Sequence, residues 1–569
     1  MKNIYKIFIL LGIVSLLACE RATLEPEETA AGWIREESVW DETDQNGQVA
    51  GFYLNNIYSY LPDGFARVGG DFLESGTDDA VSSTLNSSIE NYTNGRVSLT
   101  TNPDAYWGKS YEGIRRVNTF LANIDRVPIN PNVNIYWKAE ARFIRAQLYF
   151  ELLKRYGGIP LIGDKIFEPT DDFEIPRNTF EECVTYIASE CNAIKTKLRA
   201  ESAIADAEWG KIPRGAAIAL KNRLYLYAAS PLFNGGGIET DPAKKILTGY
   251  PTFKAGLYDS VVFATNELRA LNYYRFHTGT GTAGYRSVFI TKKNFEIILA
   301  KQQANSFNLE STNAPVGYTG NAISRGRTSP SQNLVNSFLN LDGTYYTGGS
   351  ANANQYTNRD PRLSAIVFTN ASSWLSRPVE IFEGGRDKPN LGGSTVQTRT
   401  GYYLKKFLGD FTTGTAYSNQ SHNYPIFRYA EIVLNNAEAL NELGLVEQAV
   451  LEIIEVRKRA GITAGANNRY GIPAGVSAAE MRTLIRNERR IELSFEEHRF
   501  WDVRRWKIAN VALSGALNGI NITRDATGVL QFQETQVSNL TFSNKLYHMP
   551  IPYSEIVKNA KLIQNEGWN

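Results

Sequence analysis

The sequence predicts a mainly α-helical protein, a scaffold of tetratricopeptide-like helix pairs with long loops and a few short β-strands. Three observations lead there. Apolar residues recur at helical spacing in several long segments. Those segments come in pairs joined by short glycine-containing turns, with alanine where helices approach closely. Between the early and late pairs, from about Asn234 to Pro425, Gly, Asn, Ser and Thr dominate, and strand-like runs such as "FEIILAKQ" are brief.

The first helical stripe is Trp107, Tyr111, Ile114, Val117, Leu121 and Ile124. The next segment, "YWKAEARFIRAQLYFELLKRYG", carries Ala139, Phe143, Ala146, Phe150 and Leu153 on one face and Ile144, Leu148 and Leu152 on another, which predicts burial on two sides. Gly157, Gly158 and Pro160 end it. A helix from "TFEECVTYIASECNAIKTKL" and one from "PRGAAIALKNRLYLYAAS" follow. Late in the chain "FRYAEIVLNNAEALNELG" turns at Gly444 into "LVEQAVLEIIEVRKRAG", ending at Gly461. The organisation expected is a leader (1–18), a tether (19–35), an N-terminal helical region (36–235), a loop-rich ligand-facing region (236–427) and a C-terminal helical region (428–569). At 569 residues the chain is long enough for several sub-cores.

Lys2 and Lys6, the apolar run Ile7 to Leu17 and the small residue Ala18 form a secretory signal peptide. The run is shorter than the roughly 20 apolar residues a membrane-spanning helix needs. "LLAC" resembles the lipobox of bacterial lipoproteins, which implies cleavage before Cys19 and a diacylglycerol on its sulfur. Of the three cysteines, Cys183 and Cys191 are eight apart on one helix, about 12 Å along its axis, too far for a mutual disulfide. They read as two buried thiols.

The formal net charge is +1, with 60 Lys+Arg against 59 Asp+Glu, so no long-range field favours nucleic acid. "GTGTAG" at 279–284 matches the dinucleotide fingerprint in letters, but "YRSVFITKK" after it reads as a strand where the fingerprint needs a helix. No HExxH or GxSxG occurs and the four histidines are scattered singly, so neither enzymatic chemistry nor a cofactor is expected. In "IRNERRIELSFEEHRFWDVRRWK", read as one helix, Leu484, Glu488, Ile491, Phe495, His498 and Asp502 share a stripe. With no nucleophile nearby, the ionisable members read as structural groups neutralised by the arginines of the same segment.

That segment resembles the hallmark helix of the SusD/RagB family of bacterial nutrient-uptake lipoproteins, ERRxELxFEGxR-like, with Glu497 where glycine is usual. "AEARFIRAQLYFELLKRYGGIPLI", "SPSQNLVNSFLNLDG", "NRDPRL", "GYYLKKF" and "HMPIPYSEIVKNAKLIQNEGW" follow the family's order along nearly the whole chain. The resemblance implies a non-catalytic lipoprotein built on about four tetratricopeptide-like helix pairs, on the outer face of the outer membrane and anchored through acylated Cys19. It would cap a SusC-like TonB-dependent transporter and deliver oligosaccharides to it. Peptide capture, a surface glycoside hydrolase and a purely structural lid are the alternatives.

A sugar presents apolar C–H faces and a rim of hydroxyls, so its site needs aromatic platforms beside amide or charged groups. Two stretches offer that mixture. One sets Tyr92 beside Asn94 and Arg96; the other holds Tyr318, Tyr345, Tyr346 and Trp374 among turn residues. Trp374, bracketed by serines and outside any core periodicity, is expected to face the ligand.

Overall fold

The computed structural model describes residues 36–104, 106–390 and 397–568; the leader, Cys19 and the tether lie outside them. The expected helices form. α1 spans Gln48–Ile57, α2 Tyr106–Asn123, α3 Pro131–Tyr156, α4 Phe180–Ile194 and α5 Arg214–Ala229. Local chemistry fixes their ends. Asn130 caps α3 with Pro131 in its first turn, and Thr179 and Glu182 close a capping box at the start of α4, a feature worth about 1 kcal/mol. Gly157, at φ 78°, ends α3.

The loop-rich reading of 236–427 holds only in its later part. Its first third is helical, with α6 over Gly256–Arg269 and α7 over Gly281–Ile290. α6 joins the helical stack, packing between α5 and α8, which spans Tyr429–Glu442. α9 (Val446–Ala460) follows Gly444, and α10 covers Ala478–Glu492 behind a Ser477/Glu480 capping box. Each helix from α2 to α5 packs on the next, α6 packs on α8, and α9 continues the row. The two apolar rows of α3 are both buried, because α2 lies on one side and α4 on the other. Cys183 and Cys191 are buried free thiols, each raised to about 12 by burial.

The strands are short and scattered. β1 (Ala80–Ser82) pairs antiparallel with β3 (Thr328–Pro330), and β2 (Ile297–Lys301) pairs antiparallel with β4 (Tyr424–Arg428). The C-terminal region also contains a long antiparallel hairpin, β5 (Gly515–Arg524) and β6 (Leu530–Leu540), where a wholly helical region was expected. Its turn, "DATG", has Asp525 accepting from the backbone N–H of Thr527 and Val529, with Gly528 at φ 89°.

Among the described residues two main apolar cores result, with two small satellite clusters. The larger fills the helical stack; the second gathers the loop-rich region around Phe72, Phe338, Trp374, Tyr403, Phe407 and Phe495. α10 is the seam between them. Met481, Leu484 and Ile485 point into the first core, whereas Ile491 and, just past the helix end, Phe495 enter the second.

Candidate functional site

The hallmark segment is not one helix. α10 ends at Glu492, the chain turns through Phe495 (φ 60°) and Glu497 (φ 65°), and α11 begins at His498 and runs to Arg505. The single stripe expected from Leu484 to Asp502 is therefore broken at the turn. The left-handed φ at Glu497 explains why glycine suits this position, since a Cβ is strained there.

The seam's carboxylates are all engaged. Glu492 accepts from Arg428 (2.7 Å) and Arg362 (2.9 Å) and also pairs with Arg459; Glu488 pairs with Arg362 (2.7 Å) and Arg457 (2.8 Å). Glu296 and Glu496 bind Arg428, Lys406 binds Glu496, and Asp360 binds Arg362. Five cations thus meet five carboxylates, every side chain no more than 4% exposed. Burial alone would raise the Glu492 carboxyl, but Arg459, Arg428 and Arg362 outweigh it and hold it far below the ordinary range. Asp502 lies between Arg489 (2.9 Å) and Arg505 (2.8 Å), and burial, reinforced by Arg223 and Arg489, keeps His498 neutral. Asp502 is thus committed to arginines, and the segment joins the two cores.

The expected aromatic residues differ sharply in exposure. Tyr92 is fully buried: its ring packs 5.0 Å from Phe500 and its hydroxyl donates to Asn102 Oδ1 at 2.7 Å. It offers no face to a ligand, which corrects the expectation for it. Asn94 is half-buried and uses its Oδ1 to accept from the Arg96 backbone N–H, while Arg96 is exposed.

Trp374 is the second correction. It is 0% exposed, packed edge-on against Phe368 and Phe411, and its Nε1 donates to Tyr417 Oη at 3.2 Å. The serines around it belong to a tight hairpin, Ser373–Trp374 paired with Arg377–Pro378, whose turn residues Leu375 and Ser376 have positive φ. Such a turn drives a single side chain into the core without any periodic signal.

Tyr318, Tyr345 and Tyr346 remain accessible. Tyr318 is held by its hydroxyl donating to the Trp374 carbonyl (2.8 Å) and by the Arg377 guanidinium 3.9 Å from its ring centre. Arg377 is itself fixed by Asp387 at 2.7 Å. Tyr345 is 47% exposed, and Tyr346 lies under Arg359 at 3.7 Å with its hydroxyl on the Gly349 carbonyl. Sequence reasoning missed these arginines, and a third pair nearby, Arg524 over Phe382 at 4.0 Å. Each pair fixes an aromatic ring beside a cation, which suits a ligand having both apolar faces and oxygens. Lys388 reaches from the Phe382 loop to Asn521 of β5 (2.8 Å), so that loop and the hairpin form one surface.

The "GTGTAG" stretch also differs from expectation, since α7 opens at Gly281. No strand leads into it. A Cβ on Gly284 would lie 2.4 Å from Gly279, and one on Gly461 would lie 2.8 Å from Gly281. These glycines serve close backbone packing, including that of α7 against the end of α9. Among the described residues no group of three or more His, Cys, Asp or Glu is placed to hold a metal ion, and no helix is long and apolar enough to cross a membrane.

Together these features define a tetratricopeptide-like scaffold bearing a loop-built second core that displays aromatic side chains fixed by arginines. The chain belongs to the SusD/RagB family: the SusD family model matches residues 293–568, and a second, described as "Starch-binding associating with outer membrane", matches residues 53–226. SusD-like protein P2 of Formosa agariphila is 23% identical over 99% of both chains. A SusD-like protein of Bacteroides fragilis has a similar structure, with TM-score 0.78 and 28% identity over 94% of this chain and 98% of that one. A SusD-like carbohydrate binding protein of the same species aligns with TM-score 0.71 and 22% identity, over 93% of this chain and all of the other.

Proposed function

We propose that this protein is a surface-exposed, lipid-anchored binding subunit that captures oligosaccharides and delivers them to a SusC-like TonB-dependent outer-membrane transporter. The observation that carries the reading is the pairing of a starch-binding, outer-membrane-associating family match with partly exposed tyrosines fixed by arginines on the loop-rich core. Tyr318, Tyr345 and Tyr346 form the capture surface, with Asn94 and Arg96 as peripheral hydrogen-bonding groups. Cys19 carries the anchor; a diacylated cysteine supplies the two chains that stable membrane attachment requires. No catalysis is needed, and the carboxylates of the hallmark segment are committed to arginines. Mild detergent extraction is expected to recover a complex with a TonB-dependent transporter, and Cys19→Ala to release the protein from the outer-membrane fraction. Recovery as a monomer while the barrel stays folded, or unchanged fractionation of the variant, counts against the reading.

A further inference from the structure

An apolar cleft lies away from the tyrosine surface, on the N-terminal side of the helical stack. α2 forms one wall, residues 160–175 form another, and the third is the segment from α12 (Tyr553–Lys558) to Leu562. Its volume is ≈ 400 Å³, within the range of about 300–1,000 Å³ typical of small-ligand sites. Trp107, Tyr111, Ile114, Phe167, Phe173 and Leu562 supply the apolar lining. The Phe167 and Phe173 rings lie 5.6 Å apart, tilted by 33° to each other, and Phe173 stands 54% exposed at the mouth.

The polar groups of the cleft decide what it can hold. Asn118 uses its Nδ2 on the carbonyls of Gly163 and Lys165 and its Oδ1 on Arg145. Asn559 uses its Nδ2 on the Ile175 carbonyl and its Oδ1 on the Lys561 N–H, and Tyr111 donates to the Pro160 carbonyl. These amides and the hydroxyl shape the walls and are not free for a ligand. A sugar would bury several hydroxyls there without partners, at about 1–3 kcal/mol each. The charged lining is Arg115, Lys165 and Lys558 against Glu555. Lys165 is paired with Asp171 at 3.3 Å and Lys558 with Glu555 at 3.7 Å, whereas Arg115 has no carboxylate partner among the described residues. Its Nη1 donates to the Phe167 carbonyl at 2.6 Å, which points the guanidinium along the aromatic wall.

We infer that this cleft is a second binding site, for a small aromatic carboxylic acid: the flat ring enters between α2 and the Phe167–Phe173 pair, and the carboxylate meets Arg115. Gly108 gives a clean way to close it. It lines the cleft, is exposed on α2, and a Cβ there meets no atom within 4 Å, so Gly108→Leu fills the cleft without disturbing the fold and improves the helix propensity of α2.

The test is calorimetry on the full chain in lipid nanodiscs, with empty nanodiscs subtracted and circular dichroism on each variant. The probes are 1-naphthoate, the neutral 1-naphthalenemethanol and maltotriose. Expected are saturable 1-naphthoate binding at least tenfold tighter than that of the alcohol, loss of at least tenfold in Gly108→Leu, and loss of the preference for the acid in Arg115→Gln. Absence of saturable 1-naphthoate binding, equal affinity for acid and alcohol, unchanged binding in folded Gly108→Leu, or displacement of 1-naphthoate by maltotriose would each overturn the assignment.

Discussion

Replacing Glu492 by Gln changes the charge at the centre of the seam while keeping the side chain's shape. In the native protein its two oxygens receive Arg428, Arg459 and Arg362, and the surrounding network is balanced five against five. The variant leaves one buried positive charge uncompensated and turns an amide N–H₂ toward a guanidinium. Breaking a buried pair by removing one partner costs about 3–5 kcal/mol, far more than the 0–1 kcal/mol of an exposed pair. Asp125→Asn is the matched control, since Lys138 and Asp125 pair at the surface with Asp125 67% exposed. Urea unfolding followed by tryptophan fluorescence compares the two at pH 7. The account expects a loss of about 3–5 kcal/mol for Glu492→Gln and less than about 1 kcal/mol for Asp125→Asn. Equal, small losses would refute the claim that the seam's charges hold the two cores together. The native carboxyl's depressed pKa sets the pH dependence: its contribution is complete above the ordinary carboxylate range and is lost as pH falls toward the folded value.

Other outcomes follow from the same physics. Glu74 is raised to about 8, first by burial and then by neighbouring Glu497, so the folded state keeps a proton that the unfolded chain releases; its contribution is intact below about pH 4.5 and is lost progressively toward pH 8. Glu74→Gln should therefore stabilise by up to about 1 kcal/mol per pH unit above pH 4.5 and do nothing at pH 4, as measured by unfolding at several pH values. At Glu497, both Ala and Gly lose the Arg67 ion pair (2.8 Å), but Ala keeps the left-handed strain and Gly relieves it, so Glu497→Ala should be less stable than Glu497→Gly by about 1 kcal/mol. Trp374→Ala should cost about 3–5 kcal/mol by opening a cavity in the second core, while the folded fraction keeps its glycan affinity in calorimetry.

Long periodic elements were legible in the sequence and short irregular ones were not. The two buried faces of α3 and the glycine stops at Gly157, Gly444 and Gly461 follow from spacing and φ preference alone. The hallmark segment misled because a 3.6-residue period continues in the letters across a turn that only the positive φ at Phe495 and Glu497 creates. Trp374 and Tyr92 misled for a related reason: a two-residue hairpin and a single 3₁₀ turn over Ser88–Tyr92 bury one aromatic each, which leaves no pattern to read. α6 and α7 were hidden by the Gly- and Thr-rich residues that flank them. The arginines that fix Tyr318 and Tyr346 lie 59 and 13 residues further along the chain, so contacts of the folded loops, not sequence neighbours, bring them together.

The most direct test of the central claim is calorimetric titration of a panel of oligosaccharides into the wild-type protein and into the Tyr318→Ala, Tyr345→Ala and Tyr346→Ala variants. The account predicts that at least one glycan binds the wild type and that at least two of the variants each lose about 1–3 kcal/mol of affinity with the fold intact. Unchanged affinity in all three folded variants, or a panel in which only peptides bind, would contradict it.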